Sequence, residues 1–280
     1  RGGRRAAAGR EKSCAGKADL DPAEAEGARG RRRQGVVMRG LGQSALQTLE
    51  KVDSVGARVE DKGDDITWDG RAVGKGQLVV SLNSINAPAL QALSLWYKAH
   101  LPEFEAASAA GQPAPQINMD AAEKAKSQAD LTQLLAAKPK VAIEDLTFKT
   151  ANGESHFNLA MDFAAPATFD QPSDQLARQI ITQVKSKLSL SKPMLGDLAT
   201  LQALLDGQTD AQAIAMQSSQ AGEMAGMMAL QSGLATVQGN DVVSALHYAD
   251  GQVDFNGKKM TVEEFAMLVT TQLGLLTPDR

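Results

Sequence analysis

The stretch Tyr248–Ala266, YADGQVDFNGKKMTVEEFA, places acidic, amide and lysine side chains close enough in sequence to suggest acid–base chemistry. The same residues also have a purely structural interpretation. Asp250-Gly251 and Asn256-Gly257 are dipeptides typical of tight turns, and Thr261 stands three residues before Glu264, as in the capping box of a helix. We therefore predict two turns around a short strand, then a helix, and no catalytic role.

A second candidate is the glycine-rich segment GRAVGKGQL, residues 70–78, which invites comparison with a phosphate-binding loop. Such a loop needs four residues between its glycines, a Lys followed by Ser or Thr, and a helix after it. Here three residues separate Gly70 from Gly74, Lys75 is followed by Gly76, and a strand-like run comes next. We interpret the segment as a hairpin turn, with turn signals at Asp69-Gly70 and Gly74–Gly76, and predict no nucleotide binding.

The three histidines do not have the spacing of a metal site. His100, His156 and His247 lie far apart, and none belongs to the HxxxH or HExxH patterns that zinc sites use. His156 and His247 could approach each other if their strands pair, but no carboxylate is placed to act as a third ligand. We predict that all three are surface or hydrogen-bonded structural residues, and that the protein has no metal or other cofactor.

The sequence also lacks an obvious nucleophile or acid pair. It has no GxSxG elbow, and the one cysteine, Cys14, lies near the N-terminus. Adjacent acids at Asp64/Asp65, Glu144/Asp145 and Glu263/Glu264 adjoin predicted turns or helix starts, where exposure and the helix dipole favour acids. We predict a protein that is not an enzyme and has no catalytic residues. A hydrolase is the third alternative, and its sign would be a Ser or Asp beside a His in a pocket.

Several methionines fall in one predicted helix: Met216, Met224, Met227 and Met228. Gly222 and Gly226 lie among them, and small residues four apart allow helices to pack closely. The simpler interpretation is that the methionines fill gaps in a core. The alternative is an adaptable apolar surface for a lipid tail or a partner helix.

Hydrophobic periodicity predicts the elements that carry these residues. Strands are predicted at 65–86, 140–150, 154–167 and 241–260. After the turn Asn152-Gly153, strand alternation is strict at Phe157, Leu159, Met161 and Phe163. Helices are predicted at 45–52, from the cap Asn86 to Pro102, and at 119–139, 173–190, 194–207, 209–239 (broken near Gly233) and 261–275. Helices grouped between hairpins indicate an α+β fold, with an antiparallel, curved sheet packed against amphipathic helices.

Charge is distributed unevenly along the chain. Residues 1–40 hold eleven basic and five acidic residues, whereas the remainder holds 18 basic and 28 acidic residues. The acidic body argues against nucleic acid as a partner, since binding phosphates requires a basic face. Residues 1–40 could be a basic arm for nucleic acid or membrane. We prefer to interpret them as a non-native or disordered tail, with 1–37 an upstream or out-of-frame translation joined to a gene fragment.

Three segments in order, ITWDGRAVGKGQLVVSLNSINAPALQAL, VAIEDLTFKTANGESHFNLAMDF and LHYADGQVDFNGKKMTVEEF, resemble the C-terminal half of the YdgA-like family of Gram-negative envelope proteins of unknown function. The resemblance covers residues 41–280, which we expect to form one α+β domain with a surface linker at 103–118. It implies a longer protein with an N-terminal membrane anchor and most of its mass in the periplasm. The family supplies no catalytic or ligand residues, and the label GTP-binding on some related sequences finds no support in residues 70–78.

We therefore predict a soluble fragment of a non-catalytic periplasmic protein that is anchored to the inner membrane in its full-length form and acts through protein or envelope contacts. The alternative is a carrier of lipids or other hydrophobic ligands, with Phe157, Leu159, Met161 and Phe163 and the methionine-rich helix forming its groove. The expected partner is an envelope protein or a lipid. Membrane association would depend on an anchor that is absent from this chain.

Overall fold

The computed structural model describes residues 35–111 and 117–274, which form one antiparallel sheet with helices inserted between its hairpins. The strands are β1 (Val36–Lys51), β2 (Ser54–Trp68), β3 (Arg71–Asn86), β4 (Lys140–Lys149), β5 (Glu154–Phe163), β6 (Ile181–Ser191), β7 (Thr236–Gln238), β8 (Asp241–Ala249), β9 (Gln252–Phe255) and β10 (Lys258–Thr261). Their order is β1-β2-β3-β4-β5-β6-β8-β9-β10, and β7 pairs with β8.

The helices occupy the connections that the sequence assigned to them. They are α1 (Ala87–Ala109), α2 (Ala121–Ala136), α3 (Ser173–Ile180), α4 (Lys192–Leu205), α5 (Ala211–Ser232) and α6 (Val262–Gly274). Every strand pair in the described residues is antiparallel, as expected for a fold in which helices are inserted between hairpins. The predicted α+β class is confirmed. The predicted tail at 1–40 lies almost entirely outside the described residues.

Three of the hairpin turns were predicted correctly from their dipeptides. Asp69-Gly70, Asp250-Gly251 and Asn256-Gly257 all adopt left-handed backbone angles, with φ values from 49° to 81°. Two-residue turns of this kind match the twist of the flanking strands, which is why Asn-Gly and Asp-Gly are favoured there. These turns set the β2–β3, β8–β9 and β9–β10 hairpins.

The predicted turn at Gly74–Gly76 is wrong, because these residues lie inside β3. The glycine at position 74 serves a close backbone approach: a Cβ there would lie 2.2 Å from the carbonyl oxygen of Lys149 on β4. The register between β2 and β3 also shifts on both sides of the Ile66–Gly74 pair. Glycine is therefore used here as it is at bulges, where two backbones come together.

Pairing register separates an apolar face of the sheet from a polar one. Val141, Met161, Val184, Tyr248 and Val253 form one row across β4, β5, β6, β8 and β9. Successive side chains on a strand point to opposite faces, so the next row carries Lys140, Asp162 and Gln183 on the other side. Lys140 and Asp162 form an ion pair of 3.2 Å on that face.

Residues 173–190 were predicted as one helix, and this prediction is wrong in its second half. The helix α3 ends at Ile180, and β6 begins at Ile181. The segment fits both the helical pattern and the two-residue alternation of a strand. The alternation is that of Val184, Ser186, Leu188 and Leu190 with Lys185, Lys187 and Ser189. Pairing with β5 on one side and β8 on the other stabilises the strand over the helix.

Two further boundaries differ from the sequence-based prediction. Residues 45–52 were predicted as a helix, but residues 45–51 belong to β1, which pairs with β2 along nearly its whole length. Pro102 was predicted to end α1, yet the helix continues to Ala109 and takes in the first part of the predicted linker at 103–118. Aromatic contacts bridge the proline, with the rings of Trp96 and Phe104 6.5 Å apart, and they offset part of its cost to the helix.

Helix ends follow the predicted capping chemistry. The side chain of Asn86 accepts a hydrogen bond from the amide of Ala89 at 2.9 Å, with Pro88 in the first turn of α1. Gly207 follows α4 and Gly233 ends α5, both with left-handed backbone angles. These ends fix where each helix meets the sheet.

Candidate functional site

The most ligand-like feature of the described residues is an apolar cavity of about 350 Å³ between α3, α6 and the apolar face of the sheet. Its volume lies at the lower end of the range found for small-molecule sites. Apolar side chains supply most of its lining: Ala177, Ile181, Val184, Leu246, Val253, Val262 and Phe265. Three residues with polar groups, Asp174, Arg178 and Tyr248, complete it.

The floor of the cavity comes from the register of three strands. Val184 on β6 pairs with Tyr248 on β8, which pairs in turn with Val253 on β9. The three side chains therefore lie side by side on the apolar face. Val253 is 3% exposed, so the floor is packed firmly at the β9 side.

The two helical walls are attached differently. The helix α3 leads directly into β6 at Ile181, and its position is tied to the strand that follows. The helix α6 starts with the predicted capping box: the amide of Glu264 donates to Thr261 Oγ1 at 3.2 Å, and the amide of Thr261 donates to Glu264 at 2.8 Å. Phe265 on α6 also packs against Phe255 on β9, with ring centroids 5.2 Å apart.

Charged residues lie at the mouth of the cavity. Arg178 on α3 donates a hydrogen bond to Glu263 on α6, which joins the two walls. The hydrogen bond with Glu263 raises the pKa of Arg178, and the charge of Asp174 acts in the same direction. The same hydrogen bond lowers the pKa of Glu263. Both partners are therefore charged at neutral pH, in a position that remains largely in contact with water.

The cavity provides burial and little reactive chemistry. Its lining, as far as the structure describes it, contains no histidine, serine, threonine or lysine. The arrangement suits an aliphatic chain or ring placed against the sheet, with a polar end left at the mouth near Arg178.

The strands of His156 and His247 do not pair, so the two histidines do not meet. His156 is on β5 and His247 on β8, and β6 runs between these two strands. His156 shares a hydrogen bond of 2.9 Å with Thr147 Oγ1, and His100 bonds the carbonyl of Trp96 in its own helix. Within residues 35–111 and 117–274, no three potential ligands cluster as a metal ion would require.

Two of the three adjacent acid pairs lie elsewhere than predicted. Glu144/Asp145 lies at a register shift inside β4, where Glu144 binds Arg58 at 2.7 Å, and this hydrogen bond lowers the pKa of Glu144. Asp64/Asp65 lies at an irregular position inside β2. Only Glu263/Glu264 lies at a helix start, as predicted. The two bulged pairs lie on β2 and β4, which contribute no residue to the lining of the cavity.

The methionine-rich helix does not use its methionines in the core. Met216, Met224, Met227 and Met228 are each more than half exposed, so the gap-filling interpretation is wrong. The glycines were interpreted correctly, because Gly222 and Gly226 are buried and a Cβ at Gly222 would lie 2.8 Å from the carbonyl oxygen of Lys192 on α4. The helices α4 and α5 pack through these small residues, which turns the methionines outward.

The predicted groove between β5 and the methionine-rich helix is not observed. The main packing partners of α5 are α4, β7 and β8, whereas those of β5 are β4 and β6. The apolar face of β5 is nevertheless continuous with the cavity, since Met161 pairs with Val184 on its floor.

A second cavity, of about 400 Å³, lies where α4 meets the ends of β3 and β4. Its carboxylate, Asp197, accepts hydrogen bonds from Thr150 Oγ1 and from the backbone and side-chain amides of Asn152. Burial raises the pKa of Asp197, but these hydrogen bonds outweigh it and hold the pKa below its usual value. Because the carboxylate already accepts three hydrogen bonds from the loop between β4 and β5, its role is structural.

The cavity was not predicted from the sequence, because part of its lining comes from a misassigned segment. Arg178, Ile181 and Val184 all fall in residues 173–190, which were predicted as a single helix from their helical periodicity. The alternation that begins at Val184 was the signal that could have revealed the strand. Tyr248, Val253 and Phe265 were placed in the right elements, but their meeting with α3 depends on the order of strands in the sheet.

Comparison with known proteins places the chain among proteins of unknown function. Residues 11–263 match the family described as bacterial protein of unknown function, DUF945. The chain is also similar to Protein YdgA of Escherichia coli (strain K12), with 30% identity over 199 residues, which cover 69% of this chain and 38% of YdgA. The chain therefore spans well under two thirds of the length of that relative. No solved structure matches the chain.

Proposed function

Because the chain belongs to the DUF945 family of bacterial proteins of unknown function, we propose its function from its site. The domain is a non-catalytic binding module that holds the apolar tail of a lipid or similar hydrophobic molecule between α3, α6 and the sheet. One observation carries this proposal: the cavity of about 350 Å³ at this position is lined mainly by apolar side chains. Such a cavity favours burial of hydrocarbon.

The apolar face of the sheet supports the same proposal. Val141, Met161 and Val184 form a continuous row that leads from the middle of the sheet into the cavity. These side chains are half-buried, so they leave accessible apolar surface beside the floor of the cavity. A tail longer than the cavity could continue along this row and stay out of water.

We place this activity in the periplasm, in a full-length protein anchored to the inner membrane. The resemblance of the sequence to a family of envelope proteins supports this location. No helix in the described part of the chain is both long and apolar enough to cross a bilayer. The test is fractionation of cells that express the natural full-length gene product. We expect it in the inner-membrane fraction and accessible to protease in spheroplasts. Recovery in the cytosol would contradict the location.

Ligand binding is tested by calorimetry with alkyl maltosides of increasing chain length, each below the concentration at which it forms micelles. Burial of a methylene group contributes about 0.8 kcal/mol, so affinity should rise about fourfold per added methylene until the cavity is full. The Val184→Trp variant places a large side chain on the cavity floor and should abolish this rise.

The matched control is Gln183→Trp, which adds the same side chain at the neighbouring position, on the opposite face of β6. This variant should bind like the wild type. If both variants lose binding equally, or if affinity does not depend on chain length, the proposed binding site is wrong.

A second candidate function, contact with another envelope protein, is favoured by the exposed face of α5. This methionine face consists of Met216, Met224, Met227, Met228 and Leu230, each more than half exposed. Flexible methionine side chains adapt to differently shaped partners. Photo-crosslinking from position 227 in intact cells should yield a discrete protein adduct, and a crosslinker at exposed Gln175 should not. Equal labelling from both positions would contradict this function.

A further inference from the structure

Three charged side chains surround the mouth of the apolar cavity. Asp174 and Arg178 are four residues apart on α3, so they lie on the same face of that helix. Glu263 reaches Arg178 from α6 on the other side of the mouth. Arg178 is thus one cation flanked by two carboxylates, and it is the only basic residue in the lining that the structure describes.

We propose that the ligand of this cavity is an amphiphile with a zwitterionic head, such as a phospholipid headgroup that carries both a phosphate and an ammonium group. The phosphate binds Arg178, and the ammonium group binds Asp174 and Glu263. This inference rests on the proposed function, because it assumes that the tail occupies the cavity.

The charge pattern discriminates among four kinds of head. A zwitterionic head meets one favourable partner for its phosphate and two for its ammonium group. A cationic head gains the two carboxylates but faces Arg178. An uncharged head gains neither, and an anionic head gains Arg178 but meets both carboxylates. The expected order of affinity for equal tails is therefore zwitterionic, cationic, uncharged and then anionic.

The side chains of the mouth can exchange partners without a large penalty. Arg178 is 40% exposed and Glu263 is 62% exposed, so water can solvate either group while a headgroup inserts between them. Guanidinium groups bind phosphate through two parallel hydrogen bonds, which favours Arg178 as the phosphate ligand. Because the site stays wet, the selectivity from each charge is modest, about fivefold or less.

The test compares four detergents that share one alkyl tail: an alkylphosphocholine, an alkyltrimethylammonium salt, an alkyl maltoside and an alkyl sulfate. Each is measured by calorimetry as a monomer. We expect the phosphocholine to bind about fivefold more tightly than the sulfate at low salt. The difference should shrink in high salt, because exposed charges are screened.

Variants that remove charges give a stronger test, because they should change the order of affinity of the four probes and not only weaken binding. Arg178→Gln leaves two carboxylates at the mouth, so the trimethylammonium probe should become the tightest ligand. The double variant Asp174→Asn/Glu263→Gln leaves only Arg178, so the sulfate should overtake the trimethylammonium probe. A merely structural role for these residues would weaken all four probes alike.

The chain offers a matched control in Arg58→Gln. Arg58 resembles Arg178 in exposure and has two carboxylates beside it, Glu60 and Glu144, but it lies on the polar face of the sheet. This variant should keep the wild-type order of probes.

The outcomes separate the two proposals. If none of the four probes binds, the proposed function fails. If all four bind with equal affinity, or if Arg178→Gln leaves their order unchanged, the tail site stands and the zwitterionic headgroup is wrong.

Discussion

Asp197, at the loop between β4 and β5, and Glu263, at the mouth of the cavity, each join a helix to another part of the fold. Asp197 accepts a hydrogen bond from Thr150, a backbone bond from Asn152 at 2.9 Å and a side-chain bond from Asn152 at 2.6 Å. Glu263 forms an ion pair with Arg178 across the open mouth of the cavity. The first contact fixes a loop, and the second can open without disturbing a packed core.

The surroundings of the two carboxylates differ in the same way. Around the loop, Thr150, Ser155, Ser191 and Met194 are all buried, and the backbone is close-packed at Gly153. Around the mouth, α3 has no buried residue, and α6 exposes Met267. Regions that are weakly packed open at low cost, which a ligand site requires. The comparison therefore assigns stability to the loop region and binding to the mouth.

The largest expected effect comes from Gly153→Ala at the loop. An added Cβ would lie 2.3 Å from Ser191 Oγ and 2.5 Å from the amide nitrogen of Met194, so the helix start of α4 must move. We expect the free energy of unfolding to fall by about 3 kcal/mol, as for overpacked sites, measured by urea denaturation. Gly42→Ala is the control, because nothing lies within 4 Å of its Cβ. Equal stability of the two variants would refute the close packing at the loop.

The next effect is that of Asp197→Ala. This change leaves the hydroxyl of Thr150 and the amides of Asn152 without their acceptor. Because the site is only partly buried, water replaces some of these bonds, and we expect a loss of about 1 kcal/mol. If urea denaturation gives the same free energy of unfolding for Asp197→Ala and the wild type, the loop keeps its conformation without Asp197.

The pH dependence of stability tests the same carboxylate. The pKa of Asp197 is lowered in the folded state from its ordinary value of 3.8, so its ionised form stabilises the fold above that value. This contribution disappears as the pH falls below about 4 and Asp197 becomes protonated. The difference in stability between wild type and Asp197→Asn should therefore be full at neutral pH and should shrink in acid. A difference that stays constant down to about pH 2 would contradict this assignment.

The smallest effect on stability is expected from Glu263→Gln. Its ion pair with Arg178 is exposed, and exposed pairs contribute little. We expect an unchanged thermal midpoint but faster amide exchange in α6, because the tie between α6 and α3 is lost. Hydrogen exchange measured by mass spectrometry, with the α2 segment as internal reference, checks this result. A clear fall in the midpoint would mean that the mouth is a structural contact like the loop.

The turns and helix caps could be predicted from sequence because their chemistry is local. Asp69-Gly70 and Asn256-Gly257 need backbone angles that few other dipeptides adopt, and Asn86 and Thr261 cap helices within their own neighbourhoods. The antiparallel α+β class followed from the grouping of these elements. Residues 45–51 and 181–190 were misassigned because each also carries a helical period, and only their pairing, with β2 in the first case and with β5 and β8 in the second, makes them strands.

The sequence by itself determined the hairpin turns, the helix caps and the glycines that let α4 and α5 approach each other, because each depends on neighbouring residues or on a single short side chain. It also carried the markers of the DUF945 family. Only the tertiary structure decided that residues 181–191 lie between β5 and β8, that the methionines face outward, and that Arg178 meets Glu263 across an apolar cavity. The reason is that strand pairing and helix packing join residues far apart in the chain, and their free energy outweighs local preference.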